Sequence, residues 1–195
     1  MKMSDRQHEI VNVSINLIAE KGIQNLTIKN ISEKIGISEP AIYRHFQNKF
    51  EIVMGVLNSF ADIAGDVLNQ VKSDNLKSFE KIELFMMDRY DRCSSNPNLA
   101  KVMFSEEFFQ NDELLSKKML SIMHSHKNDI EEVLINGQAN GEIRNDIDTT
   151  SIFRIVFGAM RLLIKQWCLS GFKFDLTTEG KKLWEVEKKL IITNK

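Results

Sequence analysis

Apolar residues recur three and four positions apart along nearly the whole chain, the spacing that lines one face of a helix. Ile10, Val13 and Leu17, with Val11 and Ile18 beside them, give residues 5–21 a broad apolar face that Gly22 closes. Ile28, Ile31 and Ile35 repeat the spacing behind Thr27, a suitable N-cap, and stop at Gly36, where a C-terminal cap able to take positive φ belongs. The next segment starts at once: Ser38 can cap it, Pro40 falls in its first turn, and Ile42 and Phe46 keep an apolar face. Two short helices joined by a glycine-containing turn make a helix-turn-helix, whose second helix enters the major groove of DNA. Neither carries a core of its own. Residues 5–21 therefore have to bury their face against Ile31, Ile35, Ile42 and Phe46, which predicts a three-helix unit over residues 1–48.

From Asn48 the stripe Phe50, Val53, Leu57, Phe60, Ala64, Val67 and Val71 runs unbroken to about Lys72. At 1.5 Å per residue such a helix is about 37 Å long, enough to begin in the first unit and end in a second over residues 49–195. A polar connector at 72–77 follows, then helices over about 76–94, 99–109 and 112–140, with breaks at Pro97 and Gly141. Residues 151–170 are apolar nearly all round, leaving Arg154, Arg161 and Lys165 as a narrow charged strip. A helix of that kind is buried on more than one side, here by its own domain and by a partner subunit. The last segment, 178–192, is amphipathic through Leu183, Trp184, Val186, Leu190 and Ile191. Period-two alternation is missing, so the expected fold class is all-α, with about nine helices.

Composition narrows the function. The 195 residues are 43% hydrophobic and 27% charged, as in an ordinary globular protein, and a net charge of -1 argues against coating DNA or membranes by bulk charge. Residues 1–50 carry seven Lys or Arg against five Asp or Glu, a slight bias toward a local DNA-facing patch. The N-terminus has no apolar h-region and the longest apolar run, Ile155 to Met160, stops at Arg161, so neither signal peptide nor membrane span is expected. Cys93 and Cys168 have no metal or redox spacing and suit a reducing cytoplasm. His124 and His126, two apart, point to different helix faces, which predicts no metal site. No nucleophile elbow, phosphate loop, HExxH or dinucleotide fingerprint occurs, and Glu106 and Glu107 read as a solvated face. Neither an enzyme nor a cofactor is expected.

The run IYRHFQNK, a short glycine turn after TIKNISEKIG, resembles the signature of TetR-type (TetR/AcrR) transcriptional regulators, and the match extends back through AEKGIQNLT. The resemblance implies phosphate contacts by Thr27, Tyr43, His45 and Lys49, and a homodimer formed by the two C-terminal helices, with which the patterning agrees. Base reading falls to the exposed positions Ser38, Glu39, Pro40, Ala41 and Arg44, with Lys29 outlying. Arg44 suits a guanine or a phosphate, Glu39 a cytosine and Ala41 a thymine methyl. Twin recognition helices about 34 Å or more apart call for a roughly palindromic operator on double-stranded DNA.

The second unit concentrates methionine and phenylalanine. Met86, Met103, Phe108, Met119, Met123 and Phe157 suit an adaptable cavity as well as a core, while Tyr90, His126 and Arg161 can orient a ligand. A buried Arg161 needs a partner: Glu106, Glu107, a residue across the dimer, or an acidic ligand. GEIRNDID, QWCLSGFKFDL and EGKKLWEVEKKLI are similar to the effector domains of TetR-type regulators that sense lipophilic compounds, acyl-CoA responders among them. The expectation is a repressor that leaves its operator when a small hydrophobic or amphipathic effector, an acyl thioester among the candidates, fills the second unit. The competing reading is an all-α small-molecule binding or carrier protein without operator binding, which has no use for Tyr43, Arg44, His45 and Lys49 together.

Overall fold

The structure, a computed structural model, describes residues 3–73 and 75–193. Among them are nine α-helices: α1 (Asp5–Lys21), α2 (Ile28–Ile35), α3 (Glu39–Tyr43), α4 (Lys49–Ser73), α5 (Ser78–Ser95), α6 (Pro97–Met103), α7 (Glu113–Ala139), α8 (Thr149–Leu169) and α9 (Leu176–Ile191). Short 3-10 turns lie at Ile23–Asn25 and Glu106–Phe108, and the one β-type pairing among the described residues is an isolated bridge between Ile143 and Ile192. The expected connector at 72–77 includes Asp74, which lies outside the described residues.

Caps set most of the boundaries. Ser4 and Gln7 close a reciprocal capping box on α1, and Asp112, Asp148 and Asp175 accept first-turn N–H groups of α7, α8 and α9. The stretch expected as one helix over 99–109 is instead α6 followed by a 3-10 turn. Asn96 caps α6 three residues before Leu99, and the chain then has to turn because Phe104 packs into one hydrophobic core and Phe109 into another.

Those two cores organise the molecule. The N-terminal core joins Ile10, Ile18, Ile31, Ile42 and Phe46 to Val53, Leu57 and Phe60 of α4, and also to Leu99 and Val102 of α6, Phe109, and Leu115 and Met119 of α7. The C-terminal core starts on the same helix at Ala64 and takes in α5, the later turns of α7, α8 and α9. Thus α4 is common to both, and α6 lies against α1, with Lys101 Nζ donating to the Ala19 carbonyl at 2.5 Å and Asn98 to Asn16 at 2.9 Å. At the centre of the C-terminal core α9 presses on α5: a Cβ on Gly180 would overlap the ring of Tyr90, and Tyr90 and Trp184 are both fully buried. No helix among the described residues is long and apolar enough to cross a membrane.

Candidate DNA-reading face and effector cavity

At the helix-turn-helix, Gly36 takes φ 80° and ψ 33°, and the N–H groups of Gly36 and Ile37 both reach the Ser32 carbonyl, at 2.9 and 3.0 Å. This left-handed cap favours glycine and lets α3 start three residues later. Ser38 occupies the N-cap of α3, but its hydroxyl makes no capping bond, contrary to expectation. Pro40 has no N–H to offer, and that of Ala41 goes to the Ser38 carbonyl at 2.9 Å. Ile42 and Phe46 are buried, which turns Tyr43, 50% exposed, and Arg44 outward. Thr27, Lys29, Ser38, Glu39, Pro40 and Lys49 are exposed too, whereas Ala41 and His45 are half-buried.

Several of these residues also hold the unit together. Thr27 Oγ1 accepts from Asn30 N–H at 3.1 Å, the expected cap. Lys49, the first residue of α4, donates from Nζ to the Ile23 carbonyl at 3.0 Å. Gln7 of α1 donates to the His45 carbonyl at 3.2 Å, fixing the turn after α3. Lys29 stands 3.9 Å from Glu33, an exposed pair that contributes little.

Between α4, α5, α6, α7 and α8 lies a mostly apolar cavity of about 320 Å³. Met103, Met119, Met123, His126, Phe157 and Arg161 line it. Met86 and Tyr90 are fully buried in the C-terminal core and do not border it, and Phe108 packs edge-on to Phe109 beside the N-terminal core. Helical phase explains the first two. Phe85 and Arg89 form the cavity stripe of α5, and Met86 and Tyr90 lie one position further round, Tyr90 against Gly180 of α9.

The cavity's cations are mostly paired. Arg161 pairs with Glu106 and lies 5.5 Å over the Phe104 ring, Lys127 pairs with Glu131 at 2.9 Å, and next to the cavity Lys165 pairs with Glu107 at 3.2 Å. The Glu106–Glu107 pair is thus engaged with α8 and is not simply a solvated face. Burial, and then the charge of Arg89, push the His126 imidazole down to about 4, so it is neutral at neutral pH. Arg89 was not foreseen. It is 5% exposed, donates from Nη2 to Asp88 at 2.7 Å and to the Ile63 carbonyl of α4 at 3.1 Å, and its Nε is buried with no acceptor. The signal was a charge four residues after Phe85, inside the apolar stripe of α5.

The outer side of α8 is apolar as well. Ile155, Leu162 and Leu169, seven residues apart, are 48%, 60% and 77% exposed, and Val186 and Leu190 of α9 are 55% and 52% exposed. Inward, the same helix buries Ile152, Val156, Met160, Ile164 and Trp167.

Residues 57–193 match the family model described as YsiA-like protein, C-terminal region, and residues 10–54 match that of bacterial regulatory proteins, tetR family. The fatty acid metabolism regulator protein of Bacillus subtilis (strain 168) is 23% identical over 181 residues, 91% of each chain. Among solved structures, the fatty acid degradation regulator FadR of Bacillus halodurans has the same fold, with a TM-score of 0.84 and 20% identity, covering 96% of this chain and 97% of that one. So does FadR of Bacillus subtilis in complex with stearoyl-CoA, with a TM-score of 0.82 and 22% identity, covering 92% and 96%. With the helix-turn-helix model matched at one end and the effector-region model over most of the rest, the chain belongs to the tetR family of bacterial regulatory proteins and is a ligand-responsive DNA-binding transcriptional regulator.

Proposed function

We propose that residues 1–48 read a roughly palindromic operator and that residues 49–195 release it when a small amphipathic effector enters the cavity. Regulators of this family bind operators and small ligands and act as dimers. The observation that carries the reading is the position of the cavity: its walls include Phe60 of α4 and Met103 and Phe104 at the end of α6, the two helices to which α1 is fastened. An effector acts only through unequal affinities for two states. Filling a space bounded by α4 and α6 favours one position of the DNA-reading unit over another.

On the DNA, Tyr43, Lys49, Thr27 and His45 hold phosphates, and Arg44, Glu39, Ala41, Pro40 and Ser38 face base edges, with Lys29 at the margin. The uncapped Ser38 hydroxyl leaves that residue free to donate. The heptad spacing of Ile155, Leu162 and Leu169, together with Val186 and Leu190, supports a homodimer through α8 and α9. A regulator of cytoplasmic DNA works in the cytoplasm, and no catalytic role is assigned. Stearoyl-CoA in the Bacillus subtilis relative makes an acyl thioester the first effector to try.

The test is an operator selected from random duplexes by the wild-type protein, then titrated by fluorescence anisotropy with acyl-CoAs of graded length, fatty acids and aromatic acids. Release by at least one amphipathic compound is the expected result. Selection of no site, or a complex that no compound dissociates, contradicts the proposal.

A further inference from the structure

The least explained polar group in the cavity wall is Arg89. Two guanidinium groups, Arg89 and Arg92, share the one carboxylate of Asp88: Arg92 Nε takes both oxygens, at 2.8 and 2.9 Å, and Arg89 Nη2 takes one at 2.7 Å. Lys127 and Arg161 each have a carboxylate partner. Arg89 therefore leaves positive charge in excess, on a side chain 6% exposed. Apart from Asp88 and Arg92, the charge stands among apolar and neutral neighbours. Its guanidinium lies 5.1 Å over the Phe85 ring, the imidazole of His126 is uncharged, and Nε is a buried donor with no acceptor. Leaving a buried donor unmade is costly, and an uncompensated buried charge more so.

Depth adds a second observation. The cavity opens between α7 and α8, where Leu120, His124, Arg154 and Gly158 are exposed, while Arg89 and Phe85 are buried. An occupant entering there passes the exposed Arg154 at the mouth, meets methionine and phenylalanine on most of its length, and reaches in Arg89 a buried donor that lacks an acceptor.

We propose that Arg89 orients the effector by donating from Nε to an acyl oxygen, either the carbonyl of a thioester or the carboxylate of a free acid. This rests on the cavity being the effector site and adds the chemical group that the site selects. An apolar chain gains burial anywhere in the cavity. A purely apolar chain leaves the Arg89 donor unmade, whereas an acyl compound brings an oxygen acceptor to it, so the residue adds a preference for acyl compounds to a general preference for greasy molecules.

The experiment compares three probes on the intact wild-type dimer and on Arg89→Met by isothermal calorimetry: palmitoyl-CoA, palmitate, and S-hexadecyl-CoA, a thioether that lacks the acyl oxygen. Arg89→Met retains the volume, and Asp88 keeps Arg92 as its partner, so the variant has no orphaned carboxylate; a thermal melt verifies its fold. The wild type is expected to bind at least one acyl probe about tenfold or more tightly than the thioether, the range of a hydrogen bond to a charged group. In Arg89→Met that preference is expected to collapse to about twofold or less, with thioether affinity retained. Palmitoyl-CoA ahead of palmitate identifies the thioester as the source of the oxygen, and the reverse order the free acid. Arg89→Lys, which keeps the charge but not the fork, should lie between. An acyl preference that survives Arg89→Met, or its absence from the wild type while all probes bind, overturns the proposal and leaves the effector cavity standing. Failure of every probe to bind the wild type removes both.

Discussion

Glu187 of α9 is 2% exposed and neither of its carboxylate oxygens has a hydrogen-bond partner, nor do the neighbouring buried groups Tyr90 hydroxyl and Trp184 Nε1. Burial pushes its carboxyl up to about 7. The unfolded group titrates at about 4.3, so between those values the folded state holds a proton that the unfolded state has released, and stability falls as pH rises through the window. His126 acts in the opposite direction. Its folded value of about 4 lies below the usual 6.5, so its contribution is lost as pH falls. The two slopes partly cancel in the wild type, and Glu187→Gln separates them. Relative to wild type the variant is expected to gain stability between pH 5 and pH 8, by up to a few kcal/mol or several degrees in Tm. An offset that is the same at both pH values in paired melts contradicts the assignment. At the DNA face, Lys49→Ala should weaken operator binding alike for all sequences and shallow the salt slope by about one. An unchanged slope would leave Lys49 only its bond to Ile23. Arg44→Ala should instead change the operator recovered by selection, and recovery of the wild-type site argues against base reading by that residue.

At the level of elements, the tightest joint is α5 against α9. Gly180→Ala places a methyl inside the Tyr90 ring, and overpacking of that kind costs about 1–3 kcal/mol. A chemical denaturation midpoint within error of wild type would show that the two helices can part without cost. The helices themselves were largely legible in the sequence because most carry an unbroken stripe and several a capping residue: Thr27, Asp112 and Asp148 stand where the caps are. What periodicity could not reveal was allegiance. Phe104 and Phe109 fall in one expected helix over 99–109, yet they serve different cores and the helix ends between them. Met86 and Tyr90 read as cavity residues because methionine and tyrosine suit a pocket. Their place one position round from Phe85 and Arg89 depends on the rotation of α5 against α9, which no local pattern fixes. The contact of α6 with α1 is likewise a long-range feature, built by Asn16, Ala19, Asn98 and Lys101, polar or small residues that leave no stripe.

For the whole molecule, α8 stands between two events. Phe157 and Met160 face the cavity, and Ile155, Leu162 and Leu169 face outward. If the outward row meets a twin, Leu162→Glu should shift sedimentation toward the monomer and abolish binding to a two-half-site operator, while the fold survives because the residue is 60% exposed. A dimer unchanged by that charge would place the interface elsewhere. Occupancy of the cavity should change the separation of the two DNA-reading units. That change is tested most directly by electron–electron dipolar spectroscopy on a nitroxide at Glu20→Cys, an exposed site near the end of α1, in a Cys168→Ala background. With an acyl-CoA bound to saturation, the distance distribution between the two labels should move by several ångströms from that of the free dimer. Identical distributions with the cavity filled and empty would contradict coupling between the cavity and the DNA-reading units.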